Sequence, residues 1–253
     1  MGAGAAQARS VVRAVEQATL RPASWARCAR GVVSLIVSEV LTPAEVLILQ
    51  DGLAAAPFRD GRATAGAAAG KVKHNEQARS DDPAVVALAR RVRLALEADE
   101  AVRTLVRPTR WSNLIFSRYG PGQQYGLHAD NAAMYDAEGW PFRTDVSFTL
   151  FLSDPETYEG GALLIQDAAG DREFRPLAGH AVFYPTSQLH RVTPVTRGVR
   201  LACVGWVQSL IRRADQRDLL FDLERARQRP EAEDAPLRLD RAIGNLLRMW
   251  GEP

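Results

Sequence analysis

The rhythm of apolar and polar positions changes three times along the chain. Val32–Val37 is a short apolar run that predicts a strand. Thr42-Pro43-Ala44-Glu45 then combines a capping threonine, a proline in the first turn and a glutamate three residues after the cap, and so starts a helix. Residues 61–70 are rich in glycine and alanine and read as loop. A second helix begins at Asp81-Asp82-Pro83, with Val85, Leu88, Val92 and Leu96 at helical spacing. From about residue 105 the period shortens to that of strands. The runs Ser112–Tyr119, Asp145–Leu152, Gly161–Gln166, His180–Tyr184 and Val199–Gln208 alternate with turn clusters such as Gly120-Pro121-Gly122, Gly160-Gly161 and Arg197-Gly198. Many short strands with glycine and proline turns predict a β-sandwich or barrel. Beyond Ser209 the pattern turns helical again, first around Leu210, Ile211, Leu219, Leu220 and Leu223 and then from Leu237 to Trp250, with Pro230 and the acidic stretch 231–234 between.

The expected organisation is an extension over residues 1–30 with no assigned role, an α/β flank over 31–108, a β-rich core over 109–209 and a helical segment over 210–253. The 253 residues are 46% apolar and 25% charged, with a net charge of +2, the composition of a globular protein. That balance argues against a nucleic-acid partner, and no apolar run reaches the roughly 18 residues of a membrane span. Cys28 and Cys203 lie far apart and support neither a disulfide framework nor a thiolate site, which fits a reducing, cytoplasmic setting. The apolar C-terminal helices allow a homodimer.

Candidate chemistry concentrates in the β-rich part. His128-Ala129-Asp130 is an H-x-D triplet, and His190 follows sixty residues after Asp130. On a strand, positions i and i+2 share a side, so His128 and Asp130 can grip one ion. Two imidazoles and a carboxylate occupy one face of a metal and leave positions open for other ligands. By themselves the three residues permit iron, zinc or no metal. Arg200 lies ten residues after His190 and can hold a carboxylate by two parallel hydrogen bonds, which favours iron with a dicarboxylate co-substrate. The competing role for Arg200 is a structural ion pair with an acid such as Asp145. It is expected on a strand adjacent to the one preceding His190. Tyr119 is a second candidate for the same carboxylate, and Tyr125 a weaker one. Asn131 is expected to orient Asp130 or cap a turn, Arg197 to sit in a turn, and His180 to face solvent or cap. Of 32 basic side chains only Lys71 and Lys73 are lysines. In an extended Lys71-Val72-Lys73 both point to one side at the mouth of the site, with Asn75 nearby; they could meet an acidic substrate or order a lid there, but the role expected is that of a solvated edge strand.

The segments Tyr119–Asn131, Thr144–Asp154, Gly160-Gly161 and His190–Arg200 resemble the motifs of the bacterial PKHD-type hydroxylases, Fe(II)- and 2-oxoglutarate-dependent dioxygenases of the prolyl 4-hydroxylase superfamily. The resemblance spans roughly residues 31–250. It implies an α+β fold with a double-stranded β-helix (jelly-roll, cupin-like) core and flanking N- and C-terminal helices. It implies Fe(II) on His128, Asp130 and His190, and 2-oxoglutarate with its distal carboxylate on Arg200. It also implies O2 as co-substrate and L-ascorbate as accessory reductant. The reaction implied is hydroxylation of a C–H bond in an unidentified substrate, a peptidyl proline or lysine or a small molecule, with succinate and CO2 as co-products. His74 matches no ligand position. Two other functions fit the same triad. A nucleic-acid dealkylating oxygenase would need a basic groove with aromatic platforms, and a non-catalytic metal-binding sensor would not need Arg200.

Overall fold

A computed structural model describes residues 36–64, 66–136, 138–167, 170–227 and 235–252. The extension over residues 1–30, Val32–Leu35 of the first expected strand, and the break at Pro230 and 231–234 lie outside the described residues. Strands in chain order are β1 (Ile36–Glu39), β2 (Phe58–Asp60), β3 (Lys73–His74), β4 (Glu76–Ala78), β5 (Pro108–Trp111), β6 (Ile115–Tyr119), β7 (Gln124–His128), β8 (Ala133–Tyr135), β9 (Pro141–Arg143), β10 (Val146–Phe151), β11 (Tyr158–Gly160), β12 (Leu163–Asp167), β13 (Gly170–Phe174), β14 (His180–Pro185), β15 (His190–Val192), β16 (Val195–Gly198) and β17 (Arg200–Ser209). The longer helices are α1 (Pro43–Ala54), α2 (Pro83–Ala98), α3 (Ala214–Arg227) and α4 (Ala235–Trp250).

Helices α1 and α2 start at their caps. The Glu45 amide donates to Thr42 Oγ1, and the Thr42 amide donates back to Glu45 Oε2. Asp82 accepts from the amides of Ala84 and Val85, and Pro83 occupies the first turn. The expected loop 61–70 instead contains a 3-10 helix, Gly61–Thr64, and one helical turn, Ala67–Gly70, because alanine favours helix where glycine alone would not. The last expected helix begins later than Leu210. Ile211 forms an isolated bridge to Gly251 before α3 starts at Ala214.

Two antiparallel sheets form the core. The larger runs β1-β14-β10-β17-β6-β4-β2, with β5 also paired to β17, and the smaller runs β13-β12-β15-β7-β3. Alternation along β10 shows how the larger sheet is used. Val146, Phe148 and Leu150 join the core under α1 and α2, beside Leu49, Leu53, Val92 and Leu96. Ser147, Thr149 and Phe151 face the other way, toward the smaller sheet. β14 repeats the device, with Phe183 on the helix side and Val182 and Tyr184 between the sheets. Each fully buried large apolar side chain contributes about 1.5–3 kcal/mol, so the helix-side layer anchors the sheet. The inner faces are left for a polar pocket. α3 and α4 pack on each other through Leu220 and Ile243, and Ile211 of the preceding segment joins the same cluster. The architecture is the expected α+β one, a jelly-roll core with helices at its flanks. Among the described residues no helix is long and apolar enough to cross a membrane.

Candidate metal centre and its pocket

Pairing of β7 with β15 sets His190 directly opposite His128. The Nδ1 of His128 lies 2.8 Å from the Gly126 carbonyl oxygen, and the Nδ1 of His190 lies 3.0 Å from that of Gln188. A carbonyl only accepts, so each ring carries its proton on Nδ1 and turns a bare Nε2 inward. Ligand atoms of His128, Asp130 and His190 all lie within 4.8 Å of one another. The two Nε2 atoms stand 3.8 and 3.6 Å from the Asp130 carboxylate oxygens. Burial, and after it the neighbouring His190 ring, push the His128 imidazole down to about 4, so it is neutral near pH 7. Tyr125 stacks on His128 at 3.6 Å between ring centroids, and Tyr184 meets His190 edge-on at 5.0 Å. Two imidazole nitrogens and a carboxylate, with no sulfur, suit a divalent ion such as Fe(II).

Asp130 is not on the strand, contrary to the expectation drawn from H-x-D spacing. β7 ends at His128, and the carboxylate two residues on is held from β10, where Ser147 Oγ donates to Oδ2 at 2.8 Å. Thr186 Oγ1 stands 3.1 Å from the same serine oxygen, placed to donate to it. Among the described residues Asn131 makes no side-chain hydrogen bond to Asp130. Its backbone carbonyl accepts from Thr144 Oγ1. Ser147 is a site residue that inspection of the chain passed over. The signal lay in the polar alternation Ser147, Thr149 within an otherwise apolar strand.

Arg200 opens β17 opposite Tyr119 of β6 and is only 1% exposed. Its guanidinium carbon lies over the rings of Tyr119 and Phe151, at 5.2 and 4.9 Å. The Nε and Nη2 atoms are buried without a hydrogen-bond partner. Asp145 is not the partner. It binds Arg143 at 2.7 Å and accepts from the Ser209 amide. Nor is the strand of Arg200 adjacent to the one preceding His190, since β10 lies between β14 and β17. Gly161, at φ +61°, makes room for the arginine. A Cβ there would sit 3.0 Å from Arg200 Cδ and 2.9 Å from Val195 Cγ2. Tyr119 is buried, and burial raises its phenol above the usual range.

The lysine expectation fails in an instructive way. Lys71 lies in an exposed turn after the helical turn, and only Lys73 is on a strand. Lys73 is no solvated edge residue. It is 5% exposed, donates to Thr64 Oγ1 at 3.1 Å and lies 5.0 Å over the Tyr125 ring. Burial lowers its ammonium to about 8, against the opposing fields of Asp130 and Asp60. Asn75 is buried too, and with Lys73, Gln77 and Thr64 it lines the pocket that holds His128, Asp130, His190 and Arg200. Arg197 belongs to β16 rather than a turn and forms an exposed ion pair with Glu159. His74 is exposed, and His180 is half-buried at the start of β14 with its Nδ1 enclosed, rather than solvent-facing.

Known proteins resemble the chain in both sequence and fold. The family model of the 2OG-Fe(II) oxygenase superfamily matches residues 114–208, a stretch that contains His128, Asp130, His190 and Arg200. A PKHD-type hydroxylase from Picosynechococcus is 43% identical over 220 residues, covering 85% of this chain and 98% of the relative. One from Xanthomonas campestris is 41% identical over 225 residues, covering 86% and 99%. Among solved structures, HygX from Streptomyces hygroscopicus with nickel, 2-oxoglutarate and hygromycin B bound aligns at a TM-score of 0.53 and 16% identity. That alignment covers 71% of this chain and 85% of HygX and is a likeness of fold.

Proposed function

The chain belongs to the PKHD-type hydroxylases of the 2OG-Fe(II) oxygenase superfamily and is a 2-oxoglutarate-dependent dioxygenase; on that premise we propose that His128, Asp130 and His190 hold its Fe(II) and that Arg200, aided by Tyr119, holds the distal carboxylate of 2-oxoglutarate. One observation carries the reading. A converging donor triad shares a pocket with a buried guanidinium whose Nε and Nη2 lack partners. A buried, unpaired charge is costly, so its persistence points to an anionic ligand.

The chemistry that Fe(II) supplies when bound is coupled oxidation: O2, 2-oxoglutarate and a substrate C–H bond give succinate, CO2 and the hydroxylated product. The rest is the work of the chain. The Gly126 and Gln188 carbonyls hold both imidazoles with Nε2 inward. Ser147 orients the Asp130 carboxylate. Arg200 offers two parallel N–H donors to a carboxylate, and Tyr119 can add its phenol hydrogen. The stacked Tyr125 and the edge of Tyr184 shield the ligand rings from water. Ascorbate is the accessory reductant in this reading. The substrate is a peptidyl residue or a small molecule that gains one oxygen atom.

The test is anaerobic reconstitution with Fe(II), followed by exposure to O2 and 2-oxoglutarate and measurement of succinate. Candidate substrates are screened for a gain of one oxygen by mass spectrometry. Wild-type protein forms succinate in an iron-dependent manner, and His190→Ala reduces it to background. Wild-type turnover in that variant would remove His190 from the metal site.

A further inference from the structure

The pocket is lined by two cations, and the proposed co-substrate accounts for one of them. Arg200 is assigned above to the distal carboxylate of 2-oxoglutarate. Lys73 stands on β3, which pairs with β7, the strand of His128, so that Lys73 opposes Tyr125. Alternation through this segment buries Lys73, Asn75 and Gln77 and exposes His74. Among the described residues Lys73 forms no ion pair. Its ammonium has the Thr64 hydroxyl and the face of Tyr125 for company. Asn75, only 4% exposed, turns its amide toward the Tyr119 phenol, and neither Oδ1 nor Nδ2 completes a well-formed hydrogen bond. The close approach is built in, because Gly61 packs against Asn75 where any Cβ would collide with Oδ1.

Charge accounting sets the ligand class. The divalent ion and Arg200 are balanced by Asp130 and the two carboxylates of 2-oxoglutarate. Lys73 then leaves the pocket one positive charge in excess. Burying a polar amide and an ammonium without full partners is unfavourable unless a ligand completes them.

We propose that Lys73 and Asn75 form a recognition subsite for a carboxylate on the primary substrate, so that the enzyme hydroxylates a C–H bond of an acidic molecule. This rests on the metal-centre reading above. The ammonium supplies charge, and the Asn75 amide N–H donates to one carboxylate oxygen. A cationic substrate such as a peptidyl lysine is disfavoured at this wall by like-charge repulsion. Lowering of the Lys73 ammonium by burial agrees with a group that lacks its anion.

The experiment uses full-length protein loaded with Mn(II) and saturating 2-oxoglutarate, and reads paramagnetic relaxation of probe protons, which registers weak binders near the metal. Butyrate is compared with butanamide as a free acid, and N-acetylglutamate α-amide with N-acetylglutamine amide as a peptidyl acid. We expect at least one acid to be relaxed several-fold more than its amide. Whichever pair discriminates identifies the source of the carboxylate. Lys73→Met erases the difference, and Asn75→Ala reduces it and serves alone if Lys73→Met does not fold. Binding of 2-oxoglutarate, measured the same way, stays within twofold of wild type in Lys73→Met. Equal relaxation of acid and amide in wild type overturns the subsite, as does a difference that survives both substitutions. Loss of 2-oxoglutarate binding in Lys73→Met overturns it as well, by assigning Lys73 to the co-substrate. Wild-type protein that binds neither Mn(II) nor 2-oxoglutarate overturns the metal-centre reading itself, a result distinct from all of these.

Discussion

The two ends of the pocket treat their polar atoms in opposite ways. At the His128–Asp130–His190 end, the second nitrogen of each ring and one carboxylate oxygen are already satisfied by Gly126, Gln188 and Ser147. At the end formed by Arg200 and Asn75, four side-chain atoms are buried without a well-formed hydrogen bond, the Asn75 amide having only the Tyr119 phenol nearby. Satisfied atoms position: their hydrogen bonds fix a tautomer and a direction before any ligand arrives. Unsatisfied atoms receive: their cost in the free protein is repaid only by what binds. Substitutions at the first end should therefore disturb geometry, and those at the second should disturb ligand affinity while sparing stability.

Arg200→Leu is the sharpest way to break this comparison. Removing a bidentate, charge-assisted contact from a dry site should raise the Michaelis constant for 2-oxoglutarate by about a hundredfold, on the order of 3 kcal/mol. Stability should hold or improve, because an unpaired buried charge is replaced by an apolar side chain. Steady-state succinate formation and thermal unfolding read the two quantities. An unchanged Michaelis constant would take Arg200 out of the anion site. A large loss of stability would make it a structural residue and dissolve the distinction between the two ends.

Ser147→Ala probes the satisfied end. The serine touches Asp130 rather than the ion, so the variant should fold normally, retain 2-oxoglutarate affinity and lose about 10-fold to 100-fold in metal affinity. Titration with Mn(II) measures it, and an affinity equal to wild type would reduce Ser147 to packing.

How far the chain can be read without coordinates follows the same divide. Short-range physics is legible. The Thr42–Glu45 box and the Asp82 cap start helices where spacing and caps say they should. The long strands begin and end within a residue or two of the apolar runs, except that the Ser112–Tyr119 run starts three residues ahead of β6, in the link from β5 where Ser112 exchanges hydrogen bonds with Trp206. His128, Asp130, His190 and Arg200 could be nominated from spacing and residue type alone. Long-range pairing is not legible. Nothing near Ser147 reveals that β10 lies under the end of β7. Lys73 is read as a surface residue because its burial depends on a helical turn at 67–70 that redirects the chain, and on Val72 approaching Gly126. The polar wall made by Thr64, Lys73, Asn75 and Gln77 is assembled by tertiary pairing of β3 with β7 and β4 with β6, which no local pattern encodes.

The smallest effect expected is a pH dependence that belongs to the satisfied end alone. Burial and His190 depress the His128 imidazole from 6.5 to about 4 in the folded chain. The unfolded chain therefore binds more protons than the folded one between those values, and stability falls as pH decreases through that window. About one pH unit above 6.5 both states are neutral and the contribution is flat. Metal-free protein, prepared with a chelator, should lose about 1 kcal/mol of unfolding free energy between about pH 7.5 and about pH 5.5 through this residue, after allowance for solvent screening. Denaturant titrations at the two pH values measure the total loss, to which other groups contribute. The difference from His128→Gln, whose amide does not titrate, isolates the imidazole. A variant as pH-sensitive as wild type would mean that the His128 ring is solvated in the free protein, and the order that its Tyr125 stack and Gly126 bond impose on the site would have to come from the metal instead.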